Sequence, residues 1–254
     1  MSFEDIAQTI IFMFEFWIQT SWYIAFSMSF ATNVLIYITA ASFIDIVTNT
    51  IIGNGSLGTH INNNPLKKGQ KITEIKNGII SCLIFSLVSL LARKLFAGIT
   101  PESIIQLSIE ILLFTIFYET YSYFVHRLLH TKLFIKPHAV HHYSVRTTPW
   151  SAYSVHPIEA LLISLSAPVF MWIFPVHLCV IFAFHILGVI FTMVIHSNLQ
   201  INNRIFLSGI FNRYTRYHAA HHSIGNVNFG FVYSLLDSYF NTKLVDKKTV
   251  HERV

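Results

Sequence analysis

The chain has 254 residues, of which 53% are hydrophobic, 15% aromatic and only 11% charged, with a formal net charge of +5. So little charge cannot cover an ordinary soluble domain of this size, and the composition is that of an integral membrane protein. The positive balance forms no basic stripe interleaved with aromatics, which excludes a nucleic-acid partner, and Cys82 and Cys179, each inside an apolar run, offer neither a disulfide frame nor a thiolate metal site.

The opening residues, MSFEDIAQ, carry acids where a secretory leader carries basic residues, so the apolar run behind them is expected to be retained. Residues 16 to 44 contain no Asp, Glu, Lys or Arg. That exceeds the ~20 residues one span needs and predicts an interfacial helix over about 3–18 and a span over about 22–46, with a tight hairpin of two short spans as the competing reading. Residues 53–76, rich in Gly, Asn and Lys, mark an exposed connection in which His60 is an isolated loop residue rather than a ligand. A second span is expected over about 77–97 and a third over about 103–125, opened by Pro101 and running without a break signal into His126. Glu110 falls mid-span, roughly opposite His126 on the helical wheel, and is assigned to helix packing.

Between Pro157 and Ile195 the sole acid is Glu159 and there is no Lys, Arg or Asp. These 39 residues, at ~1.5 Å each, extend about 58 Å, close to twice the ~30 Å hydrocarbon thickness, and predict a helical hairpin turning near Phe174-Pro175. Such a hairpin returns to the face it left, so His156 at its entry and His196 at its exit share the face of His126 to His142. His177 at the far turn and His185 mid-span are expected to be interhelical hydrogen-bonders. Fifteen of the seventeen Lys and Arg residues lie on the histidine side, with only Arg93 and Lys94 opposite, which orients that side to the cytoplasm of a bacterial inner membrane or endoplasmic reticulum.

The histidines carry the chemistry. His126 and His130 are four apart, His138, His141 and His142 fall at i, i+3 and i+4, and His218, His221 and His222 repeat that spacing. Residues three and four apart share a helix face, so each group is expected to converge on a single point. A lone HxxxH is more often a surface or core pair; three such clusters together point to metal. Eight to ten imidazoles imply two ions, and imidazole suits iron, copper, zinc and nickel alike. Glu119, Tyr123, His126 and His130 form one stripe at steps of four, three and four, which places Glu119 and Tyr123 to orient the histidines, an interfacial aromatic being the other reading of Tyr123. Glu159 and Asp237 are candidate supports, and Asn198, Asn226 and Asn228 are either hydrogen-bonding neighbours or turn residues.

With HRLLH at 126–130, HAVHH at 138–142, HPIE at 156–159, HSN at 196–198 and HAAHHSIGNVNFGF at 218–231, followed by Asp237, the chain resembles the fatty acid hydroxylase and sterol desaturase superfamily of membrane histidine-box di-iron enzymes over about residues 70–245. It departs from the family in two places: Glu119 stands where Asp is frequent, and the FGT-like ending is Phe240-Asn241-Thr242. The resemblance implies an all-α integral membrane protein, a single domain over 1–254 with about four to five transmembrane or re-entrant helices, N-terminal helices to about 100, and a cytoplasmic helical cap carrying the dimetal site in the catalytic region from 101. It implies two iron ions, replaceable by zinc in purified protein, held by His126, His130, His138, His141, His142, His218, His221 and His222, with His196 and His156 as further ligands. The implied reaction inserts one oxygen atom into an unactivated C–H bond of a membrane lipid, sterol or fatty acyl, or removes two hydrogens from it. It uses O2 and electrons expected from a separate electron-transfer protein, because no cytochrome b5-like, flavin or Rieske-type motif is seen. A histidine-rich membrane metal-binding or transport protein is the alternative, but an ion that crosses would need ligands and acids midway through the spans rather than at their ends. A haem carrier would use only two to four of these histidines.

Overall fold

The computed structural model describes residues 2–244. Lys247, Lys248 and Arg253, counted above on the basic side, lie outside the described residues. The fold is helical, and among the described residues four helices are long and apolar enough to cross a membrane: α2 (Trp22–Gly53), α3 (Gln70–Ala92), α4 (Ile104–Leu129) and α8 (Leu178–Ile195). At ~1.5 Å per residue they extend from about 27 Å for α8 to about 48 Å for α2, against a ~30 Å core, so α8 fits it nearly upright and α2 has length to tilt. Large apolar side chains remain on their outer faces, Ile104 81% and Leu187 67% exposed, a surface that lipid rather than water would cover.

Local sequence sets the helix boundaries. Helix α1 (Phe3–Gln19) begins at a capping box: the Asp5 backbone N–H donates to Ser2 Oγ while the Ser2 N–H donates to the Asp5 carboxylate. The Arg93 guanidinium donates to the carbonyls of Ile18 and Thr20 and so closes the corner between α1 and α2. Helix α4 starts where Ser103 Oγ accepts the Gln106 N–H. The third span therefore runs unbroken into the first histidines, as expected.

Two boundaries differ from the sequence reading. The second span begins at Gln70 rather than about 77 and ends at Ala92, because its polar first turns bury Gln70 and Glu74 against the chain after residue 142 instead of pointing them into water. The first arm of the hairpin is not one helix but two, α6 (Pro157–Ser164) and α7 (Ser166–Ile173). Pro168 has no N–H to give the Ser164 carbonyl and its ring crowds that turn, which breaks the helix there. The hairpin turns at Phe174, extended at φ −127° and ψ 122° as a residue before proline prefers.

Polar groups within the apolar layer pair between helices. Glu110 accepts both the ring Nδ1–H (2.7 Å) and the backbone N–H (3.1 Å) of His177, which fixes the far turn to α4. His185 Nε2 donates to Asn33 Oδ1 on α2 at 2.9 Å. These are interhelical contacts of the kind expected for Glu110, His177 and His185.

Above α8, strand β2 (Leu199–Ile201) pairs antiparallel with β1 (Gly58–His60), tying the exit of α8 to the connection after α2. One aromatic core joins α2 and α3 to a 3₁₀ turn over Pro149–Tyr153. Tyr37, fully buried, stacks on Tyr153 at 5.3 Å and donates its hydroxyl to the Trp150 carbonyl at 3.1 Å. Gly78 allows that approach, since a Cβ there would lie 2.4 Å from the Tyr37 ring and hydroxyl. Gly78→Ala is therefore expected to destabilise the protein by about 1–3 kcal/mol through overpacking. Gly209→Ala, where a Cβ meets nothing within 4 Å, should leave stability unchanged or slightly raised. Thermal unfolding of the detergent-solubilised protein measures both.

Candidate metal centre

Four segments converge on one face. The C-terminal turn of α4 brings His126 and its cap His130, and α5 (Ile135–His142) brings His138, His141 and His142. His196 caps the C-terminus of α8, and α9 (Ser208–Ile224) brings His218, His221 and His222. Their ring nitrogens form two groups, His126, His130, His138, His142 and His221 in one and His141, His196, His218 and His222 in the other, with the donor atoms of each group all within 4.8 Å of one another.

Neither HxxHH motif converges on a single point. Residues i and i+4 stand about 40° apart around a helix, whereas neighbours i+3 and i+4 stand about 100° apart. His138 and His142 therefore enter the first group while His141 turns into the second, and on α9 His218 and His222 enter the second while His221 crosses to the first. Each of these two helices supplies two imidazoles to one group and a third to the other, locking the groups side by side.

The second nitrogen of most rings is already used. His126 Nδ1 donates to the Phe229 carbonyl (3.0 Å), His221 Nδ1 to the Val227 carbonyl (2.7 Å) and His196 Nδ1 to the Thr192 carbonyl (2.7 Å). His130 Nδ1 donates to Asn226 Oδ1 (3.2 Å) and His138 Nδ1 to Glu159 Oε2 (2.9 Å). Burial disfavours the charged form of these rings, aided by their mutual repulsion. It pushes His142 and His196 down to about 4 and His138, His141, His218, His221 and His222 below their ordinary value. A neutral ring whose hydrogen sits on Nδ1 carries its lone pair at Nε2.

Within each group Nε2 atoms face one another. His138 Nε2 lies 2.9 Å from His130 Nε2, which lies 3.3 Å from His221 Nε2, and His142 Nε2 closes the ring at 3.1 Å from both His138 and His221. In the second group His218 Nε2 is 2.9 Å from His196 and 3.0 Å from His222, and His196 is 3.3 Å from His141. No hydrogen is left to join His130 to His138 or to His221, so these contacts are repulsive unless a cation stands among them. Nitrogens sharing one metal at ~2.0–2.1 Å are about 2.9–3.4 Å apart at adjacent positions, so the donor set fits two ions.

The other sequence candidates act at one remove. Glu119 touches no imidazole; it accepts the backbone N–H groups of Val232 (2.9 Å) and Tyr233 (3.1 Å). Thr242 Oγ1 gives its hydrogen to Asp237, so Tyr123 donates its hydroxyl to Thr242 Oγ1 at 3.0 Å. Asp237, fully buried, also accepts the Phe229 and Gly230 N–H groups and the Tyr217 hydroxyl. Together Glu119, Tyr123 and Asp237 clamp the loop after α9, whose carbonyls hold His126 and His221. Glu119 and Tyr123, expected to orient the histidines, reach the rings only through this loop: Glu119 binds its backbone, and Tyr123 acts through Thr242 and Asp237.

His156 stands outside both groups, its Nδ1 accepting the Ile158 N–H as the cap of α6, against the expectation that it joins the ligands. Asn226 reaches a histidine. Asn198 and Asn228, at φ 56° and 57°, serve as turn residues that bind the backbone of Asn62 and of Tyr217 and Leu244. Sequence reasoning missed Glu74, assigned to an exposed connection but fully buried. It accepts from Gln70 Nε2 (2.7 Å), Ser144 Oγ (2.7 Å) and Thr148 Oγ1 (2.6 Å) and so pins the chain leaving α5. The carbonyls that hold the rings have no sequence signature at all.

A predominantly apolar cavity of about 530 Å³ reaches the histidines, with His126, His141, His196 and His218 at one end and Val189, Phe184 and Met28 along its walls.

A family profile described as fatty acid hydroxylase matches residues 111–242. The chain is similar to lathosterol oxidase of Homo sapiens, 31% identical over 144 residues that cover 55% of this chain and 46% of the relative. It is likewise similar to the Delta(7)-sterol 5(6)-desaturases of Gibberella zeae, 28% identical over 142 residues (56% of this chain, 39% of the relative), and of Saccharomyces cerevisiae, 28% identical over 169 residues (61% and 45%). The chain thus spans less than half the length of these curated relatives. No solved structure matches it.

The geometry sets distinct expectations for metal binding, measured by elemental analysis of the purified protein and by competition with a chelator. His138→Ala should lose metal from the first group, whereas His156→Ala should retain the full content. Glu159→Ala should weaken binding at the first group about 10- to 100-fold, the range for losing a carboxylate that orients a ligating imidazole, and leave the second group unchanged.

Proposed function

We propose, because this chain belongs to the fatty acid hydroxylase family, that it is a multi-pass membrane oxidoreductase that hydroxylates or desaturates a membrane lipid with O2 at a non-haem di-iron centre. The observation that carries this reading is the meeting of two imidazole groups with an apolar cavity inside a bundle of membrane-crossing helices. His126, His130, His138, His142 and His221 would hold one iron and His141, His196, His218 and His222 the other. Iron held there would supply the activation of dioxygen that attack on an unactivated C–H bond requires and that no protein side chain performs.

The chain's own part is placement. The carbonyls of Phe229, Val227 and Thr192, with Glu159 and Asn226, fix the tautomer and direction of five rings. The walls of the cavity exclude water and hold a lipid against His126, His141, His196 and His218. The size, about 530 Å³, falls within the ~300–1,000 Å³ range of small-molecule sites and suits one acyl chain or one sterol. The names of the relatives favour a sterol; the walls of this cavity accept either.

The charge asymmetry supports a cytoplasmic histidine face, where a separate electron-transfer protein would deliver the two electrons. A transport role is disfavoured because the nine converging histidines lie at helix ends and in the short helices outside the spans, not along a path through them.

Lipids extracted from cells with and without the expressed chain should differ by gain of one oxygen or loss of two hydrogens in mass spectra, and His141→Ala and His222→Ala should abolish the change. Iron-loaded protein should turn over and zinc-loaded protein should not, with no Soret band in either. Unchanged lipids, or full turnover by either variant, would remove the proposal.

A further inference from the structure

The same cavity contains a polar patch far from the histidines. Asn33 on α2 donates Nδ2–H to the Ser29 carbonyl and to Ser86 Oγ, and its Oδ1 accepts His185 Nε2–H at 2.9 Å. Ser29 Oγ in turn accepts Trp17 Nε1–H and is joined by Ser89 Oγ. Trp17, Ser29, Asn33, Ser89 and His185 all line the cavity, amid walls that are otherwise largely apolar. Binding α8 to α2 uses Nε2 of His185 alone. Because that nitrogen carries the ring hydrogen, Nδ1 presents a lone pair, and among the described residues it receives no hydrogen bond.

His185 and His196 lie on one stripe of α8. The step from 185 to 196 is eleven residues, about three full turns, so both rings project from the same face about 16 Å apart along the axis. Val189 and Thr192 fill the stripe between them and line the same cavity. Gly188 sits one turn from His185 on the cavity wall, and a Cβ added there would meet nothing within 4 Å.

We infer that the Ser29–Asn33–His185 patch is a substrate subsite in which His185 Nδ1 accepts the hydroxyl hydrogen of an elongated lipid whose other end lies at the histidine groups. The inference rests on the oxidase reading and adds a ruler to it. About 16 Å is about a dozen carbon–carbon bonds of an extended chain at ~1.3 Å each along its axis. The carbon presented for oxidation is therefore about a dozen bonds from the hydroxyl. A sterol oxidised at ring carbons 5 and 6, with its hydroxyl only a few bonds away, cannot fill both ends at once; a long-chain alcohol can, and so can a sterol that presents its tail.

The test is competition for tritiated hexadecan-1-ol on the purified full chain in detergent. Hexadecan-1-ol should compete about ten-fold better than its methyl ether, which lacks the hydrogen, and cholestanol against its own methyl ether reports whether a sterol takes the same subsite. His185→Phe should bring the alcohol-to-ether ratio near one, His185→Gln, which keeps both a donor and an acceptor, should restore part of it, and Gly188→Phe should weaken alcohol and ether alike. Equal binding of alcohol and ether by the unaltered chain, which needs no variant and so no assumption about folding, overturns the inference, as does a preference that survives His185→Phe in folded protein. Alcohol preference without any lipid oxidation would leave the subsite standing and remove the oxidase reading; oxidation without the preference would do the reverse.

Discussion

Nine imidazoles driven into one desolvated layer create the constraint on which the rest of this structure depends. Burial keeps the rings neutral, and backbone carbonyls take the hydrogen from one side of several of them. What remains is lone pairs held about 3 Å apart, an arrangement that costs energy until a cation fills it. A site of this kind would couple folding to metal: desolvation and ordering are already complete in the folded chain, and ions bound among the rings would offset that cost.

The surroundings make sense as answers to that crowding. The loop after α9 touches the rings through the carbonyls of Val227 and Phe229, so it has to be held still, and one buried acid, Asp237, gathers two backbone N–H groups and two hydroxyls to do so. Glu119 holds the next stretch of the same loop from α4. Glu74 plays the matching part for the chain leaving α5, reaching from α3 to Ser144 and Thr148. Three carboxylates therefore spend their acceptor capacity on peptide, amide and hydroxyl donors, and of the acids around the two imidazole groups it is Glu159 that meets one of their rings directly. Carboxylates in this protein build the cage walls, and histidines supply its donors.

The membrane gives the site its other half. The outer faces of α2, α3, α4 and α8 stay apolar and exposed, while between the helices a largely apolar space leads to the rings. A lipid carbon can approach the cage without crossing water, and the cage stands at the span ends where polar helices pack over it. The short β1–β2 pair fastens this cap to the spans at the exit of α8.

The sequence by itself determined the membrane class, the four long apolar helices, the hairpin turn before Pro175 and the histidines as the chemistry-bearing residues. These are properties of composition, run length and helical spacing, all local along the chain. Tertiary structure alone decided how the imidazoles divide. His141 and His142 are neighbours in sequence yet belong to different groups, because adjacent helical positions diverge by about 100° and only the assembly of α4, α5, α8 and α9 determines what each one meets. It also decided that His156 caps a helix instead of joining the cage, that Glu119 and Tyr123 act through a loop rather than on a ring, and that Glu74 is buried. Each depends on a partner between 2 and 119 positions away in the chain, and for all but the helix cap no periodicity marks which two segments will meet.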